Sequence, residues 1–344
     1  MRRIILAILC ALCACPLPRP GYAQETTDPF TGFNFMWQPF SARDEALGAT
    51  GVGTVGTAMA LMYNPAGIAF VEGLDVGFTL ANTNRKRDDL WISEERRSAN
   101  LDFDERNYVV GFAVNAGKKW SLGLSVQTYD HGFDDEDVSQ YAASGACGWR
   151  IADQFAIGSA LKLISEAFPG RNESVYAFDL GAYFASKSGN SVIALGARNL
   201  TGGFLGEPED YLVPKRIRAG VLIDLVSTVG LDPFPHYLNL AADLYKPIRS
   251  FGHTALRVGI EYTYLMRRAE GYTLGLSLRG GHASPNPIGW GCGLEFRSAG
   301  GRRVAVDYAR RGLGVGGDEA FIRALINEAI KDDVTQLVSV SIEM

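Results

Sequence analysis

Hydrophobic and polar side chains alternate through most of the chain from Gly73 onward, in blocks of about ten residues separated by turn residues. Tyr272, Leu274, Leu276 and Leu278 share one parity, and Thr273, Gly275, Ser277 and Arg279 share the other. The same split sets Leu256, Val258, Ile260, Tyr262 and Tyr264 against Arg257, Gly259, Glu261 and Thr263, and Tyr176, Phe178, Leu180, Ala182 and Phe184 against Val175, Asp179 and Gly181. The pattern predicts 14 strands, over 73–82, 107–116, 119–129, 139–150, 153–165, 173–186, 190–199, 214–224, 236–246, 253–265, 270–281, 288–298, 302–310 and 334–343. A strand that crosses a membrane in a barrel needs this length, with apolar side chains toward lipid and small or polar ones toward the lumen. A secreted β-sandwich or propeller also alternates, but it buries its apolar face and shows polar outer positions along its edge strands. Here one side of nearly every block is apolar and aromatic-tipped, which favours the barrel. Connection lengths agree: every second one is mostly tight, as at 117–118, 151–152, 187–189 and 299–301, whereas 83–106, 130–138, 200–213 and 311–333 are long. The tight 225–235 counterpart is an exception in being longer. The expected fold class is therefore all-β, a 14-stranded antiparallel transmembrane barrel.

The first residues follow another pattern. Arg2 and Arg3 precede an apolar run over 4–14, and Tyr22 and Ala23 close a breaker-rich stretch with small residues at cleavage positions. This is a secretory signal peptide over 1–23, with the mature chain starting at Gln24. Its removal takes 33 basic residues to 30 against 38 acidic ones, a net charge of −8, so nucleic acid is not an expected partner. Cys10, Cys13 and Cys15 leave with the peptide, unless Cys15 is a lipidation site. Cys147 and Cys292 remain, both at outward parity and too far apart around a barrel to pair. No apolar run reaches the roughly 18 residues of a membrane-spanning helix.

Residues 24–72 form an extension whose second half is rich in small residues. Gly51, Gly53 and Gly56 spell the dinucleotide fingerprint, but no strand precedes them and Asn64-Pro65 interrupts any helix that follows, so the match is accidental. Glycines here suit a compact segment pressed against a barrel wall. Ala42-Arg43, Ala46-Leu47-Gly48 with Gly51, and Tyr63-Asn64-Pro65-Ala66-Gly67 resemble the N-terminal hatch of the PorV/PorQ family, a branch of the FadL-like outer-membrane barrels. Ala242-Asp243 with Lys246-Pro247, Gly259 with Glu261-Tyr262, Leu278-Arg279-Gly280-Gly281 and Asp307-Tyr308 continue the resemblance in family order. It implies a hatch inside the lumen, carried by Gly48, Gly51, Gly53, Gly56, Asn64, Pro65, Ala66 and Gly67, and a barrel over 73–344. The chain departs from the family in its last connection, where Phe321, Leu325, Ile326, Ala329 and Ile330 lie at helical spacing between Asp318 and Lys331 and predict a short outside helix, and in ending at Met344.

Inward parity places Asp179, Arg216, Arg218, Asp224, Asp243, Arg257, Glu261, Arg279, Glu295, Arg297 and Asp307 in the lumen, where both signs can pair. They read as a salt-bridged filling that holds the hatch, or alternatively as a polar path. His131, His236, His253 and His282 have no metal-ligand or triad spacing, and the carboxylates are dispersed, so neither catalysis nor a metal or cofactor is expected. Asp130, Asp134, Asp135, Glu136 and Asp137 read as a solvated acidic loop without calcium-loop spacing. The PorV resemblance implies a non-enzymatic outer-membrane protein that docks secreted cargo or components of type IX secretion. The wider FadL resemblance implies a hatch-gated path for a small hydrophobic molecule. The inward residues, read as glycine and charge without an apolar pocket, favour docking.

Overall fold

The computed structural model describes residues 34–37, 40–87, 101–133, 136–168, 171–200, 213, 215–230, 234–248, 254–267, 271–283, 286–312 and 334–344. The expected signal peptide, Cys15, Asp134, Asp135 and the helix expected over 318–331 lie outside them.

Fourteen antiparallel strands close into one barrel. They are β1 (Leu74–Arg87), β2 (Leu101–Asn115), β3 (Trp120–Phe133), β4 (Glu136–Ala152), β5 (Phe155–Phe168), β6 (Arg171–Ala185), β7 (Ser191–Arg198), β8 (Arg216–Asp224), β9 (His236–Pro247), β10 (Ala255–Arg267), β11 (Thr273–Ala283), β12 (Asn286–Arg297), β13 (Arg303–Gly312) and β14 (Val334–Glu343). Each pairs with its neighbours in sequence, and β14 returns to β1 with Asp75 opposite Glu343 and Asn84 opposite Val334. Closure satisfies in the wall the backbone groups that an open sheet would present to lipid.

Side-chain parity sorts the wall as the alternation requires. Leu124 and Leu161 on the outer face are 64% and 58% exposed, while their neighbours Ser125 and Lys162 point inward and are buried. Aromatic rings cluster on the same outer face: Trp120 stacks on Trp149 at 5.1 Å, Tyr272 on Phe296 at 5.4 Å, and Trp290 meets Tyr308 edge-on at 5.9 Å. An apolar outer band with aromatic residues toward its margins is the surface an outer-membrane-type barrel presents to lipid. Among the described residues no helix is long and apolar enough to cross a membrane. Cys147 on β4 and Cys292 on β12 are free thiols.

Several strands run past the hydrophobic alternation. β1 continues to Arg87 and β2 begins at Leu101, with Asn84 to Arg87 pairing against Asp104 to Leu101. The acidic stretch is not a loop throughout: Asp130 lies on β3 and Glu136 and Asp137 on β4, where Asp137 faces Gly132. Backbone pairing outlasts the lipid band because polar side chains are no obstacle to a ladder once both faces are wet. The exceptional β8–β9 connection holds a four-residue helix, Leu225–Thr228, capped by Asp224, whose Oδ1 accepts from the Ser227 N–H at 3.2 Å.

Inside the ring of strands, residues 40–73 cross the lumen. A short helix, Ala42–Ala46, packs against β11 to β14; a 3-10 helix, Ala58–Met62, against β1 to β3; and a second, Pro65–Phe70, against β3 to β6. Leu61, Met62 and Ile68 are fully buried there, in a cluster with Val109, Ala113, Ala146 and Ala160 of the wall.

Candidate functional site

The luminal segment approaches the wall at a collar of inward-facing glycines. Gly148, Gly158, Gly181 and Gly196 face one another in sequence across β4 to β7, and Gly259, Gly281 and Gly289 do so across β10 to β12. A Cβ on Gly158 would strike the Ala66 nitrogen and the Pro65 carbonyl carbon, one on Gly181 the Asn64 side chain, and one on Gly259 or Gly281 the backbone of Leu47. At Gly158, Gly259 and Gly281 the obstacles are backbone atoms, which have nowhere to go. Asn64 caps the second 3-10 helix, its Oδ1 accepting from the Ala66 N–H at 3.1 Å, while its Nδ2 donates to the carbonyls of Val52 and of Ala182 in the wall, both at 3.2 Å. Pro65 occupies the first helical position, where no N–H is missed. Gly67 is pressed against Ala60 and the Thr54 carbonyl. Gly48 and Gly56 adopt φ of 73° and 71°, which glycine reaches without strain. Gly51 lies against the Tyr63 ring, but Gly53 has room, since its Cβ would sit 3.4 Å from Leu222 Cβ.

Ionic contacts lock the same interface. Arg43 grips Glu261 with both ends of its guanidinium, at 2.8 and 3.0 Å, and Arg279 joins Glu261 at 2.5 Å and Asp307 at 2.7 Å. Glu45 pairs with Arg311 of β13. The Asp243 carboxylate accepts from the Gly51 and Val52 N–H groups at 2.9 and 3.2 Å, the Asp75 carboxylate from Ala58 N–H at 2.6 Å, and Arg257 donates to the Ala49 carbonyl at 3.2 Å. Within the segment, burial pushes the Asp44 carboxyl up to about 6, against the opposing pull of Arg43 and a hydrogen bond from Thr54. Burial lowers and Glu261 and Asp44 raise the Arg43 guanidinium, the carboxylates prevailing, so it stays charged.

Toward the long-connection end lies a second constellation. Lys162 and Asp179 form an ion pair at 2.5 Å, the Asn199 N–H donates to Asp179 at 2.8 Å, and Arg198 Nε stands 3.5 Å from the same carboxylate. The Arg198 guanidinium lies over the Phe40 ring at 4.7 Å, and Arg218 lies between the Tyr63 and Tyr245 rings at 5.8 and 5.5 Å. Arg216 donates to the Met36 carbonyl, and Gln127 to that of Phe35 at 3.3 Å. These bonds pin the 3-10 turn Asn34–Trp37, whose Phe35 and Met36 fill an apolar chamber made by Tyr129, Ala142, Ile164, Val175, Ala177 and Val213. The inward set is thus not glycine and charge alone: Tyr129, Ala142, Ile164, Val175 and Ala177 make an apolar part of it, filled by residues 34–37, which lie outside the strand pattern from which the lumen was read. Beside the chamber the β6–β7 ladder ends with Leu180 opposite Ala197, the Leu200 N–H still donates to the Phe178 carbonyl at 2.8 Å, and among the described residues the part of β6 carrying Val175 and Ala177 has no β7 partner.

Of the expected luminal charges, Asp179, Arg216, Arg218, Asp243, Arg257, Glu261, Arg279 and Asp307 point inward and are buried or nearly so. Glu295 and Arg297 stand instead at the rim, pairing with each other at 3.2 Å, with Arg297 about half exposed. Asp224 is a helix cap, also at that end. Sequence reasoning missed Lys162 and Arg198, which follow the same inward parity on β5 and β7, and Arg43, Glu45 and Arg311. It also looked for close-approach glycines in the segment, whereas most of the collar is in the wall. Among the described residues no group of His, Cys, Asp and Glu could hold a metal ion.

No protein-family model matches the chain, and no curated protein matches it. Solved structures do. A FadL homologue of Pseudomonas aeruginosa superposes with a TM-score of 0.53 at 11% identity, covering 89% of this chain and 98% of that one. The toluene transporter TbuX of Ralstonia pickettii gives 0.54 at 10% identity over 90% and 98%, and a deletion mutant of TodX, a monoaromatic hydrocarbon channel, gives 0.57 at 9% over 89% and 99%. At such identities the likeness is one of fold: the chain is a FadL-like, outer-membrane-type 14-stranded barrel. The specific tie to PorV and PorQ finds no support among these neighbours.

Proposed function

We propose that the protein sits in the outer membrane and passes a small hydrophobic molecule, with residues 40–73 as a hatch that closes the lumen. The observation that carries this reading is the apolar chamber filled by Phe35 and Met36 next to the end of the β6–β7 ladder. A short turn held, among the described residues, by hydrogen bonds from two side chains is a plug that an apolar solute can displace, and the end of the β6–β7 ladder beside it is where a sideways exit into lipid would lie. The fold of channels for aromatic hydrocarbons supports the same choice.

Docking of secreted cargo, which the PorV/PorQ resemblance implies, is the weaker reading. The inward residues of that resemblance are buried in the hatch–wall contact: Asp243 holds Gly51 and Val52, Gly259 faces Leu47, and Arg279 holds Glu261; its outward residues Leu278 and Tyr262 lie on the lipid-facing parity. Such inward residues report a fitted plug and present nothing to a partner. The test is uptake of toluene by cells making the wild type or Ala177→Trp, a change that fills the chamber. Uptake is expected to exceed that of cells lacking the protein and to fall to their level in the variant, while the variant barrel keeps its faster migration in unheated SDS. Uptake equal to that of cells lacking the protein, or unaltered by Ala177→Trp, would overturn the reading; crosslinks from wild type to an exported protein would then favour docking.

A further inference from the structure

The cations behind the chamber serve no contact that explains their number. Arg198 and Arg218 are 1% and 3% exposed, and their guanidinium groups point into the lumen from adjacent strands. Among the described residues Arg198 Nε has only the Asp179 carboxylate, at 3.5 Å, and neither Nη1 nor Nη2 of Arg198, nor Nε or Nη1 of Arg218, has a hydrogen-bond partner. The charge of arginine is not relieved by losing a proton, so buried N–H groups of this kind call for an acceptor. Two carboxylates, Asp179 and Asp243, face this group of cations and are shared: Asp179 takes Lys162, the Asn199 N–H and one edge of Arg198, and Asp243 takes two N–H groups of the hatch beside Arg218. Lys162, Arg216 and Arg257 share the neighbourhood and add positive potential to it. Phe40, Tyr63 and Tyr245 cover the flat faces of the guanidiniums, which leaves the N–H edges as the open directions.

We propose that Arg198 and Arg218, with Lys162, form a binding site for a tetrahedral oxyanion of the phosphate or sulfate class, held between the hatch and strands β5, β7 and β8. A guanidinium edge binds two oxygens of such an ion at once, and two guanidiniums carried at diagonal positions of neighbouring strands, Arg198 opposite Arg216 and Arg218 opposite Gly196, match an ion with acceptors in every direction better than a halide. The site involves Phe40 and Tyr63 of the luminal segment, so an ion there joins that segment to the wall. It is independent of what the barrel passes, and its test needs no transport.

The full-length protein is purified in phosphate-free detergent, and the temperature at which it loses its fast SDS migration is followed as phosphate, sulfate or chloride is added at constant ionic strength. Phosphate and sulfate should raise that temperature saturably and compete with each other, whereas chloride should not. In Arg198→Met the half-saturating concentration should rise at least tenfold; in Arg303→Met, a rim substitution, it should stay unchanged. Native mass spectrometry of the wild type, which depends on no variant, should show one added oxyanion after incubation with phosphate. Equal responses to all three salts, with no added mass, would overturn the proposal. A response seen only with phospholipid micelles, and not with inorganic phosphate, would assign the oxyanion to a lipid head group and overturn the free ion as its source.

Discussion

Gly158 shows how much rests on the absence of one carbon atom. A side chain there meets the backbone of Pro65 and Ala66, so Gly158→Val is expected to loosen the luminal segment at a cost of about 1–3 kcal/mol, typical of overpacking, while the strands stay paired. Gly53→Ala, with its Cβ at ordinary contact distance, should do neither. Proteolysis of residues 40–73 in the folded barrel distinguishes them: faster cutting in Gly158→Val and wild-type cutting in Gly53→Ala are expected, and equal rates would remove the collar argument. Asp44 gives a test by pH. Its carboxyl rises from 3.8 in the unfolded chain to about 6 when folded, so the folded state holds the proton more tightly. The stabilisation is complete below pH 3.8, declines as the pH rises, and is gone above about 6, a ceiling of about 3 kcal/mol. Arg43, Thr54, Asp243 and Glu261 surround the group, and none of them changes in Asp44→Asn. Hydrogen exchange in the segment should therefore quicken across that window in wild type relative to the variant. Parallel profiles would exclude Asp44 as the titrating group.

At the scale of the strand, one rule explains both what was legible in the sequence and what was not. Alternation reports which faces touch lipid, so the 14 strands and their inward sets, including Asp243, Glu261 and Arg279, could be read from it. Strand ends could not, because β1 and β2 keep pairing through Arg85 and Asp102, where no lipid demands an apolar partner. The plug of the chamber was hidden for a related reason: Phe35 and Met36 belong to a turn with no period, and only tertiary contact assigns them to the lumen. The hatch glycines were visible as a motif, but the wall glycines that receive them read as ordinary inward small residues. The lipid-facing parity has its own test. Leu278 is 65% exposed on β11, and Leu278→Arg should cost about 2–4 kcal/mol near the bilayer midplane. Urea titrations of the protein refolded into lipid vesicles should show that loss. Wild-type stability in vesicles would mean that β11 turns its other face to lipid.

For the whole molecule the question is which part moves when something passes. The collar, the Asn64 bond to Ala182, the Arg43–Glu261 grip, and the bonds of Ala58 to Asp75 on β1 and of Ala42 to Ser339 on β14 distribute the hold on the hatch around the ring, so withdrawing it would break all of them together. The turn Asn34–Trp37, in contrast, is tied among the described residues by hydrogen bonds from two side chains, Gln127 and Arg216. Passage should then proceed by release of the turn and sideways exit beyond the β6–β7 ladder, with the hatch in place. A covalent tether decides between the routes. A Cβ on Gly111 of β2 would lie 3.4 Å from Ala58 Cβ, close to the separation of about 3.8 Å usual across a disulfide. With Cys147 and Cys292 replaced by serine, Ala58→Cys with Gly111→Cys should form that bond, and toluene uptake should be the same in the oxidised and the reduced protein. Uptake that stops on oxidation and returns with a reductant would show that the solute travels past a displaced hatch, and that the tight collar is a latch which opens.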